Sequence, residues 1–178
     1  MADPVFATPA ELNTFTGRSI PNAQATMMLA QAAAAIRAYC GWHIYASKEV
    51  HLTLDGPGTI ILSLPSLLVT EVDTVTEDDE DLVVDDDYQW SAMGVLRRVG
   101  TNWTDKLGGV VVTFTHGYAV LPPEIQAVCL QAAARAVASP SGVKSEQSGG
   151  LSVTYAIPGG LMELEKSVLA RYRVPQAP

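Results

Sequence analysis

The sequence predicts an α+β protein: an alanine-rich helical bundle, a mostly antiparallel β lobe inserted between the long helices, and a separate C-terminal helix. Three observations predict it. Two alanine-rich segments, residues 22–42 and 121–139, carry apolar side chains at spacings of three and four. Between them, residues 46–118 switch to a period of two, with short β-branched runs broken by turn signals. After a Ser- and Gly-rich stretch, residues 161–172 return to helical spacing. All 178 residues read as one domain: helical core 8–45 and 121–139, inserted β lobe 46–118, flexible loop 139–150, and C-terminal strand and helix 151–173.

Taken in order, Thr8-Pro9-Ala10-Glu11 is a capping-box pattern with proline at the first helical position, so a short helix should follow and stop by Gly17. Leu12, Phe15 and Ile20 would give this entry an apolar face. In the long helix, Ala25, Met28, Leu29, Ala32, Ile36 and Tyr39 form one stripe, and Cys40-Gly41 provides the stop. Val50, Leu52 and Leu54 then alternate with His51, Thr53 and Asp55, as in a half-buried strand. Asp55-Gly56-Pro57-Gly58 is a turn signal. Further strands are expected at 59–64, 69–76, 82–84, 88–90, 95–99 and, most clearly, 110–115, with hairpins favoured over crossovers. The acidic run 77–81 reads as an exposed turn.

Helix resumes at Leu121-Pro122-Pro123-Glu124, with Ile125, Val128, Cys129, Ala132 and Ala136 as its buried stripe. The small side chains of Ala25, Leu29, Ala32 and Ile36 and of Ile125, Val128, Ala132 and Ala136 suit close helix packing, within one chain or between copies. Residues 139–150 read as a mobile loop, 151–155 as a brief strand and 158–160 as a hinge. The last helix should place Leu161, Leu164, Val168 and Tyr172 on one face, with Glu163 and Glu165 in its first turn and Arg171 and Arg173 at its end, as the helix dipole favours.

Composition excludes several function classes. Eleven basic residues among nineteen acidic ones give a net charge of −8, which opposes sequence-independent binding to phosphates. No run is long and apolar enough for a membrane span, and no signal-peptide pattern opens the chain. Cys40 and Cys129 read as buried free thiols, with a disulfide between them left open.

Chemistry-bearing motifs are missing from the sequence. His43, His51 and His116 share no metal-ligand spacing and read as surface or hydrogen-bonded residues. Ser66, Ser91 and Ser148 lack the GxSxG context of an activated serine. The acidic residues 77–81 and 85–87 lack the spacing of a calcium loop. Trp42, Trp90 and Trp103 read as core or interface anchors. No catalytic residue, metal or cofactor is assigned, and by elimination the chain reads as a module that binds other protein.

The order of features carries a resemblance. Ala38-Tyr39-Cys40-Gly41-Trp42-His43-Ile44 is followed by Leu64-Pro65, Val69-Thr70-Glu71-Val72, Asp87-Tyr88, Gly94-Val95-Leu96, Trp103, Val111-Val112-Thr113-Phe114-Thr115-His116-Gly117-Tyr118 and Pro122-Pro123-Glu124-Ile125. This succession, over about residues 23–172, resembles the head-to-tail connector (adaptor) proteins of long-tailed bacteriophages. The resemblance implies a structural virion protein of the neck, made in the bacterial host cytoplasm. It would form a ring, commonly twelve-fold, under the portal protein, present a surface to the next neck or tail protein, and continue the DNA channel without gripping DNA. An acidic wall suits such a channel, and acidity equally serves solubility. Leu161, Leu164, Val168, Leu169, Arg171, Tyr172 and Arg173 are the expected portal-docking residues, unless the last helix closes the chain's own core. A tail-completion or stopper protein is the alternative within the neck, and a small enzyme or ligand-binding domain is the alternative outside it.

Overall fold

The computed structural model describes residues 4–138, 145–148, 151–154 and 160–175. These fall into two compact units, one helical (Met1–Gly41 with Leu121–Arg173) and one built of sheets (Trp42–Val120 with Val174–Pro178).

In the helical unit, α1 spans Pro9–Thr16, α2 Asn22–Cys40, α3 Pro123–Ala138 and α4 Glu163–Leu169, the last continued by a 3-10 turn, Ala170–Tyr172. The capping box at Thr8 is complete: the Glu11 carboxylate accepts from the Thr8 N–H at 2.7 Å, and Thr8 Oγ1 accepts from the Glu11 N–H at 3.3 Å. Gly41 closes α2 in the left-handed conformation (φ 82°), donating its N–H to the Arg37 carbonyl. α2 and α3 pack face to face. All of Ala25, Leu29, Ala32, Ile36, Ile125, Val128, Ala132 and Ala136 are buried.

The second unit holds two sheets, both wholly antiparallel. In the first, β1 (Lys48–Leu54) and β3 (Val69–Glu77) flank β7 (Val110–His116), and β4 (Glu80–Asp81) pairs on β3. In the second, β6 (Val95–Arg98) lies between β2 (Ile61–Ser63) and β5 (Tyr88–Ser91). β7 is the middle strand because its alternation is the strictest: Val110, Val112, Phe114 and His116 are all buried. Leu62, Leu64, Val69, Val75, Tyr88, Leu96 and Trp103 complete that core. Separately, β8 (Ser145–Ser148) and β9 (Leu151–Thr154) form a two-stranded hairpin.

Several expectations are corrected. Residues 42–45 belong with the sheets rather than the helical core, because the Tyr118 N–H donates to the Ile44 carbonyl at 2.8 Å and the Ser47 N–H to the Tyr118 carbonyl at 3.1 Å. The β1 segment does not form a hairpin with the strand that follows it. β1 pairs β7 and β2 pairs β6, both across long stretches of chain. Residues 82–84 are not a strand; the ladder there is the shorter β4. Part of the loop expected at 139–150 is strand β8. The rest of that loop lies outside the described residues, as do Tyr155, Pro158 and Gly159. Phe15 is 51% exposed, although it lies one turn along α1 from the buried Leu12.

The acidic run divides. Asp78 and Asp79 both have positive φ (50° and 69°) and form the two-residue turn between β3 and β4, a conformation that aspartate tolerates better than most residues. Glu77 instead turns inward, with its side chain 10% exposed. One carboxylate oxygen accepts from Arg98 Nε and Nη2 at 3.0 and 2.7 Å, and the other from the Thr104 N–H at 2.6 Å. Arg98 also donates to the Asp87 carbonyl at 2.8 Å and stacks on Trp103. One buried carboxylate thereby ties β3 to β6 and to the loop before β7. Removing Glu77 leaves Arg98 only the Asp87 carbonyl and the half-exposed Asp87 carboxylate at 3.6 Å, so the cost sits at the low end of the range of about 3–5 kcal/mol for a broken buried pair. Glu77→Ala should therefore lower the unfolding free energy by about 3 kcal/mol in urea titration. A loss under 1 kcal/mol would mean that the pair is solvated like a surface bridge.

Candidate docking surfaces

Two places in the molecule gather polar or exposed apolar side chains in a way that bears on function. The first is the end of the helical unit. Glu165 is buried on α4, and the Arg135 guanidinium from α3 forks onto both its oxygens at 2.5 and 2.8 Å. Arg135 also donates to the Gly160 carbonyl at 3.1 Å, and Glu165 accepts the Met162 N–H at 2.8 Å. This knot fixes where α4 begins. Beyond it, Leu169 and Tyr172 turn into the core, both nearly inaccessible. The Tyr39 hydroxyl donates to the Lys166 carbonyl at 3.2 Å, and the Arg173 guanidinium sits 5.4 Å above the Tyr39 ring.

The seven expected docking residues are thus divided. Leu169 and Tyr172 are core residues and unavailable to a partner. Leu161 and Val168 are half-buried, while Leu164, Arg171 and Arg173 are exposed. Leu164 stands out at 80% exposure. It borders a groove of about 320 Å³ between α3 and α4, lined also by Glu124, Ala127, Val128, Gln131, Glu165 and Val168. Farther along α3 a second groove of about 240 Å³ is walled by Phe15, Thr16 and Arg18 and floored by Ala134, Val137 and Ala138. Phe15 and these floor residues were not singled out by sequence as a surface. A helix as short as α1 has too few turns for its periodicity to tell an inward aromatic from an outward one.

The second place is in the sheet unit. His43 and His116 are 73 residues apart in sequence. They are buried together with ring centroids 4.3 Å apart, beside Trp42 and Phe114. Sequence spacing treats them as separate surface or hydrogen-bonded residues, because it carries no sign of the Tyr45–Tyr118 bridge and the Tyr118–Ile44 backbone bond that set the two segments side by side. His43 Nε2 lies 3.0 Å from the Ala46 carbonyl and donates to it, while His116 Nδ1 is buried with no hydrogen-bond partner. Gly117 is required beside them: it has φ 104°, and a Cβ there would meet His43 Nε2 at 2.5 Å. Among the described residues, no group of three His, Cys, Asp or Glu side chains is placed to hold a metal ion. The two rings pack edge to face. Cys40 and Cys129 are free and buried, and burial pushes their thiols up to about 11 and about 12, so neither is a nucleophile at neutral pH.

No family model and no curated protein sequence matches the chain. Solved structures do. A chain in the neck of an empty GTA (gene transfer agent) particle, computed with C6 symmetry, matches with TM-score 0.62 and 19% identity, over 99% of this chain and 94% of that one. A chain in the neck of the native GTA particle, computed with C12 symmetry, matches with TM-score 0.55 over the same shares, again at 19% identity. At that identity the likeness establishes a shared fold along the whole chain.

Burial holds the His116 imidazole down to about 4, and the neighbouring His43 and Lys48 act in the same direction. Its neutral form thus stabilises the fold fully above the ordinary value of 6.5, and that contribution is lost as pH falls from 6.5 toward 4. Thermal unfolding followed across this window should show an acid-side loss of at most about 3 kcal/mol. His116→Gln should flatten that limb; an unchanged pH profile in the variant would assign the acid sensitivity to other groups.

Proposed function

We propose that this chain is a structural protein of the phage neck, an adaptor that forms a ring under the portal and joins the DNA-filled head to the tail. The observation that carries the reading is the likeness to neck chains over 99% of the sequence, end to end rather than over one common motif. The order of sequence motifs points the same way independently. Two long helices packed through alanine favour the adaptor over a stopper or tail-completion protein, which would be built mainly of strands.

The role is architectural. Burial keeps the Cys40 and Cys129 thiols protonated at neutral pH, in keeping with that role. Twelve copies in a ring would bring a formal charge of −8 each to the DNA channel, so the wall repels phosphates and lets the genome slide. Leu161, Leu164, Val168, Arg171 and Arg173 remain as the assembly face of the final segment, with the arginine end turned to the portal. On this reading the chain belongs to the virion, at the head-tail junction.

Quantitative mass spectrometry of gradient-purified particles tests the reading. The expected result is this chain in a copy number that is a multiple of six and equal to that of a ring component. A chain absent from the particle, or present in hundreds of copies like a capsid subunit, would overturn it.

A further inference from the structure

The helical unit presents an apolar protrusion and an apolar recess at two different places. The protrusion is the start of α4. Leu164 is the most exposed large apolar side chain among the described residues of that unit, Met162 beside it is 46% exposed, and the Glu163 carboxylate between them is solvent-exposed, with one oxygen 2.7 Å from Lys166 Nζ and the other open to a second cation. The recess is the groove beside the C-terminal half of α3. Its floor is Ala134, Val137 and Ala138, its wall is the outward-facing Phe15, and its rim carries Arg18. An exposed phenylalanine over a small-residue floor is a pocket for a branched aliphatic side chain. Arg18 is exposed, and no carboxylate lies within ion-pair distance of it among the described residues. It is the charge that Glu163 would meet.

We propose that a second copy of this chain fills the recess: Leu164 of one copy enters the Phe15, Ala134, Val137 and Ala138 groove of the next, with Glu163 set against Arg18. The inference rests on the ring reading above and names the surfaces by which the ring closes. A protrusion and a recess at different sites make a head-to-tail contact, and head-to-tail contacts build rings where a two-fold contact builds only dimers. Charge selects the partner. On a second copy of net charge −8 most surfaces would repel Glu163, whereas the exposed Arg18 attracts it and so fixes where the two copies meet. The contact is also small. One leucine and one exposed ion pair fall far below the ~800 Å² per partner of a stable pair, so the isolated chain stays mostly monomeric until a template gathers the copies. The arginine end of the final segment, exposed beside Glu124 and Tyr39, is left to the portal.

The test is disulfide trapping with the full-length chain. Leu164→Cys and Ala138→Cys, combined in one chain and oxidised, should give a ladder of dimers, trimers and higher species on non-reducing gels. Each single variant should give none, because the native Cys40 and Cys129 are buried. Maleimide labelling before oxidation establishes that both new thiols are accessible. Arg18→Glu should cut the ladder about two- to fivefold, the weight of one exposed ion pair, and Glu163→Arg in the same chain should restore it. The oxidation is run both on purified protein and on particles assembled with the double variant. No ladder in either sample, in particles that retain the chain, overturns the contact and leaves the neck reading standing. Particles that lack the wild-type chain overturn both. Dimers from Leu164→Cys alone would show a two-fold contact, and a cross-link from position 164 to the portal would assign the protrusion to that partner; either result overturns the proposal.

Discussion

The close packing of α2 on α3 is the constraint on which the rest of the helical unit depends. Each helix gives one face of small side chains, with Ala25, Ala32, Ala132 and Ala136 letting the backbones approach and Leu29, Ile36, Ile125 and Val128 filling the remaining space. Cys129 reports how close that approach is, with its sulfur 3.9 Å from the Leu29 carbonyl. Small side chains cost little entropy to order but bury little area, so such an interface tolerates no enlargement. The other elements attach to this pair. α1 is tied to α3 by the Gln126 amide, which donates to Glu11 at 2.9 Å, and α4 is tied by the Arg135–Glu165 fork. The residues left over on the outside of α3 and α4 are the surfaces available for assembly.

The final segment shows how a single stretch of chain serves two ends. Its buried ion pair is not a source of great stability in itself, because two charges must leave water to form it. What it supplies is position. With Glu165 held by Arg135 and by the Met162 N–H, the helix can start in only one place, and that sets Leu169 and Tyr172 inward and Leu164 outward. In the sheet unit the Glu77–Arg98 pair has the same role, locking together strands far apart in sequence around Trp103. Both pairs act as registration devices in regions where the apolar contacts alone would admit more than one arrangement.

Much of the helical unit was legible in the sequence, because its signals are local. A capping box, a glycine stop and a spacing of three and four each act within a few residues, and α1, α2 and α3 begin and end close to where those signals stand. The sheets were legible as strands but not as pairings. Which strand lies beside β7 is decided by partners 33 to 68 residues away, and alternation carries no address. For the same reason Glu77 read as one more exposed acid in a charged run, since its partner Arg98 lies beyond the intervening strands. His43 and His116 likewise read as unrelated. In the last helix, a stripe drawn through Leu161, Leu164, Val168 and Tyr172 assumed one continuous α-helix. The buried side instead runs through Glu165, Leu169 and Tyr172, at spacings of four and three, and Leu164, five residues before Leu169, lies on another side.

The proposed role works through surfaces, and among the described residues these include the exposed end of α4, the Phe15 groove and the acidic exterior. They suit a part that is gathered into a ring by its neighbours and leaves the DNA path unobstructed. Cryo-electron microscopy of the neck of the particle that carries this chain tests that account most directly. The account predicts a closed ring of this fold immediately below the portal, with the α1 to α4 unit of each copy against the next. A neck in which that level is occupied by another fold would contradict it.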